Sequence, residues 1–440
     1  MKDESITASF ISLGCFKNVV DTEVLGGLLE RRNIELVSAY EKSDWIIINT
    51  CGFIRDAKEE SIDEILSALE KKDAGDVKHV ALFGCLTQRY HDELKKNFGT
   101  ADIIWGVNDI EELADLIASS NQGAYQDKKP FLYNENFHRI ITTFPNFTFI
   151  KISEGCNMLC SFCAIPQIRG AYRSRTINSI IKESQKYKQL GFQEINLISQ
   201  NSTFFGKDRD EESQLPRLLE DISSLDFKTI RVLYLMPEEM TQKIIDAFSY
   251  PSINHYFDLP FQHVSKSLLK QMKRGGSYKQ NLELIENIRN KYPDAVIRSS
   301  FIVGFPGETE ENFEELCKFA IESKIERIGV FGYSDEENTS AFKLKNKVPE
   351  KTIKKRVEML QDISDRNIIE YNKKIVDTTC DFLPQGPCPW DNQSTIGRIR
   401  SQSPETDGLT LVNKPFDDRL EMYTIKIVDY KNEMLYGEVP

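Results

Sequence analysis

Hydrophobic and polar positions follow two repeating patterns along this chain. Apolar runs at 10–13, 45–48, 80–83 and 103–107 are short and read as buried strands. Between them the apolar residues recur at helical spacing, as at 56–69, where Ile62, Ile65, Leu66 and Leu69 share one face. Strand and helix in alternation predict a parallel α/β sheet, here an N-terminal domain over 1–125. Periodicity is lost over 121–146, which holds Gln122-Gly123 and Lys128-Lys129-Pro130 and reads as a linker. A second series follows, with strands expected at 147–152, 195–198, 230–235, 256–259, 296–303 and 328–331, and helices at 178–190, 239–248, 282–289 and 310–321. Six such units predict an open (βα)6 partial TIM barrel over 140–374, not a closed one of eight. It ends in a charged helix over 350–374, with Ile353, Val357 and Leu360 facing inward. Beyond 375, short alternating segments such as 423–428 and 435–439 predict a small antiparallel β-barrel over 375–440.

The cysteines fall at particular points of this pattern. Ser12-Leu13-Gly14-Cys15, Ile48-Asn49-Thr50-Cys51 and Leu82-Phe83-Gly84-Cys85 each place a cysteine at the end of an expected strand. In a parallel sheet those ends share one carboxyl edge, so three cysteines distant in sequence can converge. Cys156 follows the first strand of the second series in the same way, and Cys160 and Cys163 come after it. Cys317 lies mid-helix and reads as a small buried hydrophobe. Cys380 and Cys388 flank a proline-rich stretch and read as incidental thiols.

Composition narrows the class. A chain of 440 residues implies two or three domains, and 40% hydrophobic with 28% charged residues is the balance of a soluble globular protein. Met1-Lys2-Asp3-Glu4-Ser5 lacks the features of a signal peptide, and no apolar run approaches bilayer length, so a cytoplasmic enzyme without a membrane partner is expected. Nine cysteines in a reducing compartment then call for a role other than disulfides. The net charge of −12 disfavours non-specific nucleic-acid binding and suits a basic protein partner.

Gly155-Cys156-Asn157-Met158-Leu159-Cys160-Ser161-Phe162-Cys163 carries the chemistry. Three thiolates at this spacing can hold three irons of a four-iron cluster, whereas structural zinc wants four ligands. The fourth iron is then open to an amino acid's amine and carboxylate, and the cluster can pass one electron to a bound sulfonium. The competing readings are a zinc knuckle completed by His263 or His255, and a chance group of buried thiols.

This segment resembles the signature of the radical S-adenosylmethionine superfamily. Its surroundings, Lys151-Ile152-Ser153-Glu154-Gly155-Cys156 and Ile165 to Arg175, resemble the methylthiotransferases more narrowly. So do Gly14-Cys15-Phe16-Lys17-Asn18-Val19-Val20-Asp21-Thr22-Glu23, Asn49-Thr50-Cys51-Gly52-Phe53-Ile54 and Gly84-Cys85-Leu86-Thr87-Gln88-Arg89-Tyr90. The C-terminal barrel is similar to the family's accessory TRAM domain. The resemblance implies two four-iron clusters, one on Cys156, Cys160 and Cys163 and one on Cys15, Cys51 and Cys85. It also implies S-adenosylmethionine used twice, as methyl donor and as radical source.

Two branches of that family compete, one acting on a tRNA adenosine and one on an aspartate of the twelfth small-subunit ribosomal protein, S12. Ile198 to Gly206, Tyr333 to Ala341 and Arg169 to Arg175 resemble the ribosomal-protein branch, although Asn201 stands where an acidic residue is expected. Physics leans the same way. Residues 375–440 hold eleven Asp or Glu against six Lys or Arg, and an acidic face attracts a basic protein loop and repels RNA. Asp417, Asp418 and Glu421 are the candidate docking charges. Gln200 and Arg298, near strand ends, and Gly304-Phe305, which open a strand-to-helix turn, are candidates for contacting the cofactor. Glu308 and Thr309 are candidate caps of the following helix. Asp258 to His263 is expected to line the pocket, and Arg173 or Arg175 to grip a carboxylate. No general base is assigned, because radical hydrogen abstraction needs none. An external electron donor such as flavodoxin or ferredoxin is expected. The reading from another class is a non-catalytic iron–sulfur or zinc assembly protein.

Overall fold

The computed structural model describes residues 6–38, 42–124, 130–144, 146–416 and 421–440. Along the chain come β1 (Thr7–Ser12), β2 (Glu35–Leu36), β3 (Trp45–Thr50), β4 (His79–Gly84), β5 (Ile103–Ile104) and β6 (Gly123–Ala124). Then follow β7 (Phe147–Lys151), the two-residue β8 (Ser153–Glu154) and β9 (Arg173–Ser174), β10 (Glu194–Ile198), β11 (Thr229–Val232), β12 (Tyr256–Asp258), β13 (Val296–Val303) and β14 (Arg327–Gly332). The last five are β15 (Thr379–Cys388), β16 (Asp391–Ile399), β17 (Thr410–Val412), β18 (Tyr423–Lys431) and β19 (Met434–Glu438).

The chain forms two compact units that cut across sequence order. One holds the described residues up to Thr142 with Ser153–Arg175 and Glu336–Thr339; the other holds Thr143–Ile152, Thr176–Asp335 and Ser340–Pro440.

The first unit is built on a parallel sheet of order β2-β1-β3-β4-β5-β6. Its central strand β3 is buried at every position, which explains the unbroken apolar run Trp45-Ile46-Ile47-Ile48. Ile65, Ala68 and Leu69 of the helix Arg55–Asp73 pack on Ile46, Ile48, Val80 and Leu82. The helix Phe16–Glu30 differs: Lys17, Asn18, Asp21, Thr22 and Glu23 are all buried. The linker expected over 121–146 is corrected in part. Residues 125–129, which include Lys128-Lys129, lie outside the described residues. The stretch after them is a packed strap: Tyr133 and Arg139 are buried. Arg139 reaches Glu23 at 2.5 Å, and Glu23 also accepts from the Thr142 amide at 2.8 Å.

The second unit contains two parallel three-stranded sheets, β11-β10-β7 and β12-β13-β14, with two further parallel bridges, Ile230 to Ile253 and Gln262 to Phe301. The charged helix Glu350–Lys374 buries Leu360 and Ile363. The C-terminal strands close a barrel of order β15-β16-β17-β19-β18 around Phe382, Ile399, Val412, Ile425, Ile427 and Leu435. The expected all-antiparallel pairing is corrected at one ladder, because β17 and β19 run parallel. With an odd number of strands, strict alternation cannot close a ring, so one parallel pair is obligatory. The proline-rich stretch is itself strand, with register shifts at Pro384/Gly386 and Pro387/Cys388 that absorb prolines no regular ladder accepts.

Candidate functional site

Cys15, Cys51 and Cys85 follow β1, β3 and β4, which are neighbours in the sheet. Cys15 stands at the N-cap position of the helix Phe16–Glu30, and Cys85 opens the short helix Cys85–Arg89. The packing is tight. Gly14 has φ +89, and a Cβ there would stand 2.8 Å from Cys51 Cβ and 2.9 Å from its sulfur, so only glycine lets the two strand ends approach. Asn18 ties the edge together: its Nδ2 donates to Leu13 O at 2.8 Å and Thr50 O at 3.3 Å, and its Oδ1 accepts from the Cys85 thiol at 3.7 Å.

The thiols sense one another. Burial, then the charges of Cys85 and Cys15, push Cys51 up to about 12. Cys85 is also raised, by burial and by Cys15, against the opposing pull of Arg169. Burial raises Cys15 too, but the nearby cations Lys17 and Arg169 and amide donors outweigh it, and its pKa lies below the ordinary thiol value.

The other three cysteines lie on one loop. Gly155, at φ +85, passes so close to the 170–171 backbone that a Cβ would meet Ala171 O at 2.2 Å. The Cys156 amide donates to Gly170 O at 3.1 Å and the Cys163 amide to Cys160 O at 3.1 Å. Two backbone amides aim at sulfur: Met158 N–H at Cys156 (3.5 Å) and Ile165 N–H at Cys163 (3.4 Å). Such donors favour thiolate over thiol. Cys156 is buried, and Cys160 and Cys163 are half-buried.

Among the described residues, no three His, Cys, Asp or Glu side chains are grouped as for a single metal ion. Tetrahedral zinc would require sulfurs only about 3.8 Å apart, whereas a four-iron cluster spreads its ligands wider. The histidines of the zinc reading are committed elsewhere. His263 Nδ1 accepts from the Val264 and Ser265 amides at 2.9 and 3.0 Å, and its Nε2 faces Glu308 at 3.4 Å. His255 is held between Asp294 at 2.8 Å and Phe248 O at 3.1 Å. With His255 and His263 held by other partners, each trio offers thiols alone, the donor chemistry of an iron–sulfur cluster.

Around these cysteines lie residues that the motif reading left without a role. Arg169, at the end of the helix Ile165–Arg169, is buried and reaches Cys85, Asp21, Asn18 and Glu154. Glu336, also buried, takes Lys58 at 2.8 Å and Arg89 at 2.5 Å, and Arg89 donates on to Gly52 O at 3.0 Å. Sequence offered little signal for them: Lys17, Asn18, Asp21 and Glu23 read as an ordinary polar face, and only the fold shows that they are buried.

In the second unit, Gln200 is buried two residues past the end of β10. Arg298 on β13 is fixed by Asp258 at 3.0 Å, and Asp258 also accepts from the Tyr234 amide at 2.9 Å. Gly304 has φ +78, its amide donates to Glu308, and the Phe305 ring is fully buried against Tyr333. Thr309 caps the helix Glu310–Ser323 in a capping box with Asn312. Glu308 does not cap it; its carboxylate is fully buried and paired with Arg356 at 3.1 Å. Asn201, at the position where an acidic residue is expected, donates from Nδ2 to Glu239 at 2.9 Å. In the first unit, Arg175 is buried with its guanidinium 4.5 Å from the Tyr133 ring centre, and Arg173 folds back on Ala171 O at 2.7 Å. Asp417 and Asp418 lie outside the described residues; Glu421 is exposed. No helix among the described residues is long and apolar enough to cross a membrane.

Residues 150–320 match the Radical SAM superfamily and residues 7–106 the uncharacterized protein family UPF0004. Among solved structures, the radical S-adenosylmethionine methyltransferase TsrM from Kitasatospora setae, with tryptophan and aza-SAM bound, aligns at TM-score 0.55 and 14% identity over 74% of this chain and 73% of its own. The cobalamin-dependent S-adenosylmethionine radical enzyme OxsB aligns at 0.54 and 12% identity over 82% of this chain and 56% of its own. At such identities the likeness is one of fold. The match over residues 150–320, which contains the cysteine loop, marks the chain as a radical S-adenosylmethionine protein. Ribosomal protein uS12 methylthiotransferase RimO from Solibacter usitatus (strain Ellin6076) is 39% identical over 92% of this chain and 88% of the relative. RimO from Myxococcus xanthus (strain DK1622) is 39% identical over 98% and 90%. The chain belongs to the uS12 methylthiotransferase family.

Proposed function

We propose that this chain is a transferase that cleaves S-adenosylmethionine reductively and adds a methylthio group to the β-carbon of an aspartate in ribosomal protein uS12. The observation that carries the reading is the pairing of two cysteine trios in a chain of this family, one on adjacent strand ends and one on a single loop. Cys156, Cys160 and Cys163 would hold the radical-forming cluster, and Cys15, Cys51 and Cys85 the second. When bound, the radical-forming cluster would pass on the electron that splits the sulfonium and the second would supply or relay the inserted sulfur, chemistry that side chains lack.

The protein's own residues bind and orient. In this reading the two parallel sheets of the second unit form an open (βα)6 barrel. Gln200 and Arg298, the latter locked by Asp258, contact the cofactor near the strand ends, as does the backbone at Gly304 and Phe305. The domains are 1–125, 140–374 and 375–440. The last, TRAM-like and acidic, docks the basic ribosomal protein through charges that include Asp417, Asp418 and Glu421, so nucleic acid is not the main substrate. A cytoplasmic flavodoxin or ferredoxin supplies the electron.

Anaerobically prepared protein, reduced in the presence of S-adenosylmethionine, is expected to release 5′-deoxyadenosine and to add a methylthio mass to uS12. Mass gain on tRNA instead, or no 5′-deoxyadenosine at all, would overturn the proposal. Iron analysis should find about eight irons per chain, falling to about four when either trio is replaced by alanine.

A further inference from the structure

Arg169 carries five N–H donors, and the structure uses all of them. Its Nε and Nη2 fork onto the Cys85 sulfur at 3.3 and 3.2 Å. Nη2 also donates to Asn18 Oδ1 at 2.6 Å, and Nη1 to Asp21 at 2.6 Å and Glu154 at 3.3 Å. A planar guanidinium makes such a two-pronged contact on a carboxylate or phosphate; here the same edge grips a thiol. The side chain is 4% exposed, so little water competes for those donors.

Its place in the chain matters as much as its contacts. Arg169 lies six residues beyond Cys163, on the segment that closes the other cysteine loop through the Cys156 amide and Gly170 O. Ala164 and Ile168 of the same segment pack against Cys85 and Val107. Glu154 sits two residues before Cys156 and binds the same guanidinium. One side chain thus ties a member of one trio to the base of the other trio's loop.

We propose that Arg169 is a positioning residue that sets the reduction potential of the cluster on Cys15, Cys51 and Cys85, through its two N–H···S contacts with Cys85. This rests on the reading of that trio as cluster ligands. The reduced cluster carries one more negative charge than the oxidised one, so donors aimed at a ligand sulfur stabilise it and raise the potential. Lysine at 169 keeps the charge but cannot fork, and methionine keeps the bulk but donates nothing.

The test is a potentiometric titration followed by electron paramagnetic resonance on the full-length, reconstituted protein and its R169K and R169M variants. In this reading S-adenosylmethionine binds the radical-forming cluster on Cys156, Cys160 and Cys163 and perturbs its signal. A variant with that trio replaced by alanine shows the second cluster's signal alone, so the unperturbed signal is assigned to the second one. Both variants should retain the S-adenosylmethionine-sensitive signal. The insensitive one should titrate at a more negative potential, with R169K between R169M and the parent. If R169M loses that cluster, R169K carries the measurement alone. An unchanged midpoint with full iron would overturn the role of Arg169. Only four irons in the parent would instead overturn the reading on which it rests.

Discussion

The two cysteine trios solve one problem by opposite means. Cys156, Cys160 and Cys163 lie within eight residues, and a single loop, pinched at Gly155 and closed onto Gly170, brings them together. Cys15, Cys51 and Cys85 are gathered by three parallel strands, and nothing local in the sequence brings them near one another. The first trio is a property of a peptide; the second is a property of a folded sheet. Damage to the sheet edge should therefore erase one site and spare the other, and each prediction below tests that separation.

The largest effect comes from the trios themselves. Replacing Cys156, Cys160 and Cys163 by alanine should abolish 5′-deoxyadenosine formation while about half the iron remains. Replacing Cys15, Cys51 and Cys85 should leave 5′-deoxyadenosine formation intact and abolish methylthio transfer to uS12. Equal loss of 5′-deoxyadenosine in both would break the comparison.

A blow to the second unit should separate stability from iron content. Glu194 is buried, with Arg398 at 2.8 Å and Arg231 at 3.6 Å. Burial alone would raise its pKa, but the charges of Arg398 and Arg231 hold it below the usual carboxylate value. Its contribution to stability is thus present above the unfolded-state pKa and lost as pH falls through the depressed folded one. Glu194→Gln leaves two buried guanidinium groups uncompensated and should cost roughly 3–5 kcal/mol at neutral pH, with a flatter acid limb in the melting profile. The iron of protein still folded should stay the same.

Glycine substitutions sharpen the contrast site by site. Gly14→Ala and Gly155→Ala each force a side chain into the left-handed region, at roughly 1–3 kcal/mol, besides the close contacts at Cys51 and Ala171. Iron and resonance signals should fall at the strand-end trio for the first and at the loop trio for the second. Asn18→Ala should act on the strand-end trio alone, at roughly 1–3 kcal/mol, because it leaves the Thr50 carbonyl and an Arg169 donor without their partner.

How much of this could be read from the residues follows from the same contrast. Strands such as Trp45–Thr50 were legible because burial on both faces writes an unbroken apolar run, and the cysteines after them inherit their positions. The loop trio was legible from spacing alone. Arg169 was visible only as part of a resemblance, since its partners Asn18, Asp21, Cys85 and Glu154 come from three distant segments. The strap around Tyr133 and Arg139 read as a linker because scattered polar contacts hold it, among them Arg139 and the Thr142 amide on Glu23, and these leave no periodicity. Pro384 and Pro387 hid β15, because a bulged strand tolerates residues that signal its end elsewhere.

The smallest expected effect belongs to the cysteines outside both trios. Cys317 is half-buried on its helix, less enclosed than the expected small core residue. Burial and the neighbouring carboxylates Glu308, Glu310 and Glu314 push its thiol up to about 11. Cys380 goes up to about 12 through burial and Asp381. Cys51 reaches about 12 as well, so the height of the pKa does not tell a ligand from a bystander. What differs is the neighbours that set it: after burial, Cys51 is raised by two other cysteines, whereas Cys317 and Cys380 are raised by carboxylates. Their places in the fold differ too: Cys51 lies with Cys15 and Cys85 at the ends of adjacent strands, whereas Cys317 lies within the helix Glu310–Ser323 and Cys380 within β15. Cys317→Ser and Cys380→Ser should therefore leave iron content and both resonance signals unchanged and shift stability by less than about 1 kcal/mol. Loss of iron in either variant would show that sulfur outside the two gathered sites takes part in holding the clusters.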